Sequence, residues 1–316
     1  MKPKRPDLFG GKKPPATLGG WLRLTETIYR REKLALGQVA TSAHDEALYL
    51  LLRTLGLSLH SDATVLGKKL TAPELAAVES VLRRRVFDRV PAAYLTHEAW
   101  LGEHRFYVDE RVIIPRSYFL EIIPGQLNDW LPDHGAKVKR VADICTGSGC
   151  LAILLAHQFY RVRVDACDLS ADALEVAKIN VCEHRLARRV KLFAGDVFDG
   201  MPAAKYDVIL SNPPYEPSAL VDAQSPEFAA EPRLAHDGGA DGLGIIRKLL
   251  RQSGARLAPH GLVLIEVGGL RAAIDREFAA LEPHWLPTED GADCVCLIHA
   301  ARLRKWAGGM APAKNR

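Results

Sequence analysis

The sequence predicts an α/β fold: a mainly parallel sheet with helices on both faces, preceded by a small all-helical domain. Three observations carry that expectation. Strand-like and helix-like stretches alternate from Val138 to Ala300, as strand–helix crossovers do in a parallel sheet. The first such strand runs into a glycine turn, Thr146-Gly147-Ser148-Gly149, that opens a helix, and doubly wound sheets bind ligands at such turns. Upstream, apolar residues recur at helical spacing from about 18 to 90.

Residues 1–17, rich in Lys, Pro and Gly, are expected to form a flexible basic arm. In the helical domain, 18–90, Trp21, Leu22, Thr25, Ile28 and Tyr29 share one face, and Asp45-Glu46-Ala47 opens an apolar run to Leu57. Ala72-Pro73-Glu74 starts another helix, with proline tolerated in its first turn. Residues 91–116 are expected to be a linker, with Tyr94, Trp100, Phe106, Tyr107 and Val108 about the turn Gly102-Glu103 predicting a hairpin. The sheet domain, 117–302, is expected to hold strands at 138–144, 162–167, 190–194, 206–210, 262–267 and 294–300. Helices are expected at 117–131, 151–159, 171–184, 243–257 and 270–281. Residues 303–316 are expected to be a flexible basic tail.

The 316 residues are 48% hydrophobic and 25% charged, ordinary globular values that exclude extended disorder. Net charge is +4, from 42 Lys and Arg against 38 Asp and Glu. It is unevenly spread. Residues 1–14 carry +4 and residues 301–316 carry +5, whereas 116–300 hold 19 basic and 25 acidic side chains. A strongly basic nucleic-acid cleft is therefore not expected in the sheet domain, although the tails suit contact with RNA. None of the six cysteines pairs at C-x-x-C spacing, so reduced core cysteines and no metal site are expected. The N-terminus lacks the apolar region of a signal peptide, and no stretch approaches about 18 apolar residues. A cytoplasmic chain without membrane association is expected.

The chemistry concentrates at strand ends. Asp143 ends the first strand, with Thr146, Gly147 and Gly149 in the turn beyond it. Asp168, followed by Leu169, ends the second, where a carboxylate accepts hydrogen bonds from ribose hydroxyls. The third glycine of a dinucleotide fingerprint is missing, since Leu151-Ala152 follow Cys150. A nucleoside-type ligand without a pyrophosphate fits better than NAD. Asp196-Val197, after the third strand, is expected near the adenine amine. Ser211-Asn212-Pro213-Pro214-Tyr215 follows the fourth. Its prolines stiffen the backbone and leave the Pro213 carbonyl free to accept. Asn212 offers one acceptor and two donors, and Tyr215 an aromatic wall. Together they suit the grip of a planar NH2 group.

Asp143–Gly149 with Asn212-Pro-Pro-Tyr215 resembles S-adenosylmethionine-dependent methyltransferases that act on amide or amino nitrogen. The fuller set resembles the HemK-type protein-(glutamine-N5) methyltransferases: Pro91-Ala-Ala-Tyr94, Trp100-Leu-Gly102, Phe106–Arg111, Ile114-Pro-Arg-Ser117, Glu231-Pro232, Gly238–Gly242 and Glu266-Val-Gly268. Pro115-Arg-Ser117, Tyr94–Trp100 and Asp293 look like the branch that methylates large-subunit ribosomal protein L-three rather than release factors. The resemblance implies a Rossmann-like class I methyltransferase domain, S-adenosyl-L-methionine as cofactor, a protein substrate selected by the helical domain, and a monomer. It implies cofactor contacts from Asp143, Thr146, Gly147, Gly149, Asp168, Leu169, Asp196, Val197 and Asn212. Catalysis would fall to Asn212, Pro213, Pro214 and Tyr215. Arg116 stays open between substrate contact and an ion pair at the hinge. A release-factor glutamine methyltransferase, then a nucleic-acid adenine-N6 methyltransferase, then a non-catalytic ribosome-assembly factor remain as alternatives.

Overall fold

The computed structural model describes residues 7–11 and 13–309; the rest of the expected basic tails lies outside the described residues. The helical domain is built on α1 (Leu18–Arg31), α2 (Ala43–Thr54) and α3 (Ala72–Phe87). Their starts follow from side-chain caps. Thr17 accepts from the Gly20 amide, Ser42 accepts from Asp45, and the Glu74 carboxylate accepts from the Thr71 amide at 2.8 Å. Trp21, Leu22, Ile28, Tyr29, Leu50 and Leu82 close one core. That core also captures part of the expected flexible arm. Leu8 is buried, Phe9 meets the Trp21 ring edge-on at 5.7 Å, and the Leu70 amide donates to the Ala16 carbonyl. The apolar Leu8-Phe9 pair inside the basic stretch explains the difference.

A charge lies inside this core. Arg85 is fully buried; its Nε donates to Glu46 at 2.7 Å, its Nη2 donates to the Ala35 carbonyl at 3.0 Å, and its guanidinium lies over the Tyr29 ring. Next along the chain come α4 (Ala92–Thr96) and the antiparallel hairpin β1 (Ala99–Leu101) and β2 (His104–Phe106). A helical stretch then runs from Phe119 to Asp129, with a π turn at Ile122–Gln126 around Pro124, whose missing N–H breaks the regular ladder.

The sheet has seven strands in the order β5-β4-β3-β6-β7-β9-β8. They are β3 (Arg140–Ile144), β4 (Arg163–Asp168), β5 (Val190–Ala194), β6 (Tyr206–Ser211), β7 (Leu257–Glu266), β8 (His284–Leu286) and β9 (Val295–His299). β3 through β7 are parallel. Alternation within each strand builds two cores. Val141, Val208, Leu210 and Leu264 meet α5 (Cys150–Gln158) and the 119–131 segment. Ala142, Ile144, Ile209, Val263 and Ile265 meet α7 (Gly244–Arg256) and α8 (Arg271–Glu277) on the other face. Between α5 and α7 in sequence, α6 (Ala171–Glu183) packs Ala173 and Val176 against Tyr94, Val108, Val112 and Ile114 of the linker.

Two features depart from the expected pattern. β9 pairs antiparallel with both β7 and β8, and β8 was not foreseen. Only residues 287–294 separate β8 from β9, fewer than the dozen or more that a parallel crossover needs. And the segment from 303 to 309, expected to be flexible, continues α9 (Ala300–Gly309). Leu303 is buried there, and Trp306 meets Phe278 edge-on.

The Arg85 pair yields a prediction. Removing one partner of a buried pair typically costs about 3–5 kcal/mol, because it strands the other charge. Arg85→Ala should lose about that much in denaturant unfolding, and Arg85→Met with Glu46→Leu should recover most of it. Equal loss in the single and double variants would contradict this reading.

Candidate functional site

Two clefts open at the carboxyl edge of the sheet, and they meet at Asn212. The first runs over the ends of β3, β4 and β5, past Cys145, Gly147, Asp168, Leu169, Asp196 and Val197, to Pro214 and Ile245. The second lies between the linker and the Asn-Pro-Pro-Tyr segment, past Arg116, Ser117, Thr146, Pro213, Tyr215 and His236. Cys145, Gly147 and Asn212 line both.

The glycine turn is shaped by backbone conformation. Cys145 (φ 62°), Gly147 (φ 53°) and Gly149 (φ 79°) all occupy the left-handed region, as does Val197 (φ 63°). This is costly for a β-branched residue and is tolerated where surrounding structure holds it. A Cβ on Gly149 would come within 3.1 Å of Ala177, so glycine lets α6 approach the start of α5. The Gly147 amide donates to Asp168 Oδ2 at 2.7 Å, and the Ser170 amide donates to Oδ1 at 2.9 Å. Asp168 is thus held across the gap between β3 and β4, and burial raises its pKa despite those bonds.

Not every expected residue faces a cleft. Asp143 is fully buried beneath the turn and lines neither cleft; its Oδ2 accepts from Thr146 Oγ1 at 2.5 Å. It supports the turn from below, Gly149 likewise lines neither cleft, and burial pushes the Asp143 carboxyl up to about 7. The spacing located the strand end, but Asp143 lies two residues from Val141 and shares its inward face. Asp196 does line the first cleft, but Lys248 Nζ lies 2.7 Å from its carboxylate. An adenine amine would have to compete with that ion pair.

Asn212 is oriented by a neighbour. Its Nδ2 donates to Glu266 Oε1 at 3.1 Å, which leaves Oδ1 as the acceptor for a ligand. Glu266 ends β7 in the strand beside it, 3% exposed. Its other oxygen accepts from Ser117 Oγ at 2.5 Å and from the Tyr118 amide at 3.1 Å. Burial pushes its carboxyl up to about 7, against those three hydrogen bonds. Glu266 and Ser117 stood in the quoted motifs without an assigned role. The available signal was positional: Glu266, like Asp168, is an acidic residue at the carboxyl end of a parallel strand.

Tyr215 packs between glycines. A Cβ on Gly268 would strike its ring at 2.5 Å, and one on Gly242 its carbonyl oxygen at 2.2 Å. Burial raises its phenol pKa, so the hydroxyl stays neutral. Arg116 lines the second cleft but is committed to Glu231 by two bonds of 2.7 Å and lies over the Phe228 ring. The hinge ion pair is therefore the reading the geometry favours. Glu231 also accepts from the Ile114 amide and pairs with His236 Nε2 at 2.9 Å. Burial pushes the Glu231 carboxyl up, but Arg116 and His236 outweigh it and hold it down, to about 2. Four residues earlier, Glu227 takes Arg89 of the helical domain at 2.9 Å.

A pH dependence follows. Glu266 titrates near 7 in the folded chain against an ordinary 4.5. Between those values the folded state holds the extra proton, so this group's contribution to stability falls as pH rises through that window and is flat above it. Wild type should therefore lose more Tm than Glu266→Gln between pH 5 and pH 8. Parallel Tm-against-pH curves would contradict the assignment.

Residues 127–227 match the methyltransferase small domain family. The chain is 43% identical to the ribosomal protein uL3 glutamine methyltransferase of Burkholderia pseudomallei, over 93% of this chain and 98% of that one. It is 42% identical to the protein of the same name from Neisseria gonorrhoeae, over 91% and 95%. Identity is again 42% with the one from Bordetella pertussis, over 91% and 96%. The likeness extends through helical domain, linker and sheet domain alike, and the chain belongs to the family of the ribosomal protein uL3 glutamine methyltransferases.

Proposed function

We propose that this protein transfers a methyl group from S-adenosyl-L-methionine to the side-chain amide nitrogen of a glutamine in ribosomal protein uL3. The observation that supports this most is the position of Asn212, where the two clefts meet. The first cleft suits a nucleoside. It has apolar walls from Val197, Pro214 and Ile245, and the fixed Asp168 carboxylate at a strand end, the position from which ribose hydroxyls are bound. The second is the more polar and suits a carboxamide.

When bound, the cofactor supplies a methyl group made electrophilic by its sulfonium. The chain's residues then act on the acceptor. An amide nitrogen is a poor nucleophile because its lone pair is delocalised into the carbonyl. Asn212 Oδ1 and the Pro213 carbonyl accept its two hydrogens and turn the nitrogen toward the first cleft. Such alignment supplies on the order of 7–11 kcal/mol of barrier lowering. Tyr215, neutral and wedged between Gly242 and Gly268, closes the cleft against water. The methyl group would leave the carbon–sulfur electron pair on the bound donor, and the methylated, cationic amide would lose one of its two original hydrogens to water once the cleft reopens. The sheet domain's excess of acidic side chains suits a ribosomal protein, which must itself carry positive charge toward RNA.

Labelled methyl transfer into purified uL3 and purified release factor, followed by peptide mapping, tests this. Label on one glutamine of uL3 is expected; label on the release factor instead, or on neither, would overturn it. Asn212→Ala should keep cofactor affinity but lose at least about 100-fold in turnover. Asp168→Ala should weaken cofactor binding by calorimetry, and unchanged affinity would show the ribose lies elsewhere.

A further inference from the structure

Away from both clefts, three histidines from three elements converge. His104 opens β2 of the hairpin, His157 lies in the last turn of α5, and His184 follows α6 as its C-terminal cap. One nitrogen from each ring lies within 4.8 Å of one from each of the others. The His104 and His157 rings stack at 4.7 Å, nearly parallel, and His184 meets both at a steep angle. Among the described residues this is the only group of three or more His, Cys, Asp or Glu side chains so placed.

We propose that His104, His157 and His184 form a binding site for a divalent transition metal, of which zinc is the best match. Imidazole nitrogen is a preferred ligand of zinc, copper and nickel, at about 2.0–2.1 Å for zinc. The three nitrogens must draw inward to reach that distance, and His157 is exposed on its helix.

Two further features fit a cation here. His157 and His184 both stand at the C-terminal ends of helices, the negative ends of the helix dipoles. The ring of His184 is also set from outside: its Nε2 lies 2.9 Å from the Arg105 carbonyl, which can only accept, so Nε2 carries the hydrogen and Nδ1 the lone pair. A hydrogen bond from the far side of the ring is the usual way in which a metal-binding imidazole is oriented. Arg189, whose Nη2 donates to the Ala156 and Phe159 carbonyls, is a positive charge close to His157 that a bound cation must tolerate. A cavity bounded by Glu103, His104, Leu120, His157 and Gln158 opens beside the rings and leaves room for water as a further ligand. A metal there would tie the linker hairpin to the ends of α5 and α6.

The test is competition of the full chain against a chromogenic chelator for Zn2+, repeated with Ni2+, for wild type, His157→Ala, His104→Ala and His60→Ala. His157→Ala changes an exposed side chain and should fold normally. One high-affinity equivalent is expected in wild type and in His60→Ala, weakened at least about tenfold in the other two, together with a zinc-induced rise in Tm that His157→Ala abolishes. Equal affinity in all four proteins, or no stoichiometric binding by wild type, would overturn the proposal.

Discussion

The site rests on one buried carboxylate. A charge removed from water is expensive unless donors reach it, and Glu266 draws three donors from two places in the chain: Ser117 and Tyr118 just after the linker, and Asn212 just after β6. Satisfying one side chain therefore fixes the linker against the sheet and fixes which face of the Asn212 amide is presented. The glycines that hold Tyr215 complete the arrangement, because any side chain at 242 or 268 would displace it.

The same device recurs twice in the loop that follows the Asn-Pro-Pro-Tyr segment. Glu231 gathers Arg116, His236 and the Ile114 amide, and Glu227 gathers Arg89, with Gln38 donating to its carbonyl. All three carboxylates are almost fully buried. Breaking such contacts costs several kcal/mol, whereas exposed pairs such as Arg30 with Glu26 contribute about 1 kcal/mol or less. The helical domain is thus energetically connected to the clefts through Glu227, and a substrate held by that domain would meet a loop already in place.

Much of this was legible in the sequence, for a physical reason. β3 and β6 are covered on both faces, so they read as continuous apolar runs, and the acidic residues and the Asn-Pro-Pro-Tyr segment mark their carboxyl ends. β8 was not legible because three residues carry no period, and the antiparallel edge was hidden by the assumption that alternation continues. Asp143 was misplaced because spacing finds a strand end but not the depth of a side chain. The arginine partners of Glu231 and Glu227 lie more than a hundred residues away, beyond anything local pattern conveys. That distance is also why Arg116 stayed open, and His104, His157 and His184, which come from three separate elements, likewise form no local pattern.

With its carboxylate on the Asn212 amide, Glu266 would act through Asn212, as a positioning residue, and not through the cofactor. Steady-state methyl transfer and cofactor calorimetry on wild type and Glu266→Ala, at a temperature where both are folded, test it most directly. A misaimed acceptor should lower kcat by about 100-fold while cofactor affinity stays within about twofold of wild type. An unchanged kcat, or a loss explained entirely by weaker cofactor binding, would show that Glu266 does not position Asn212.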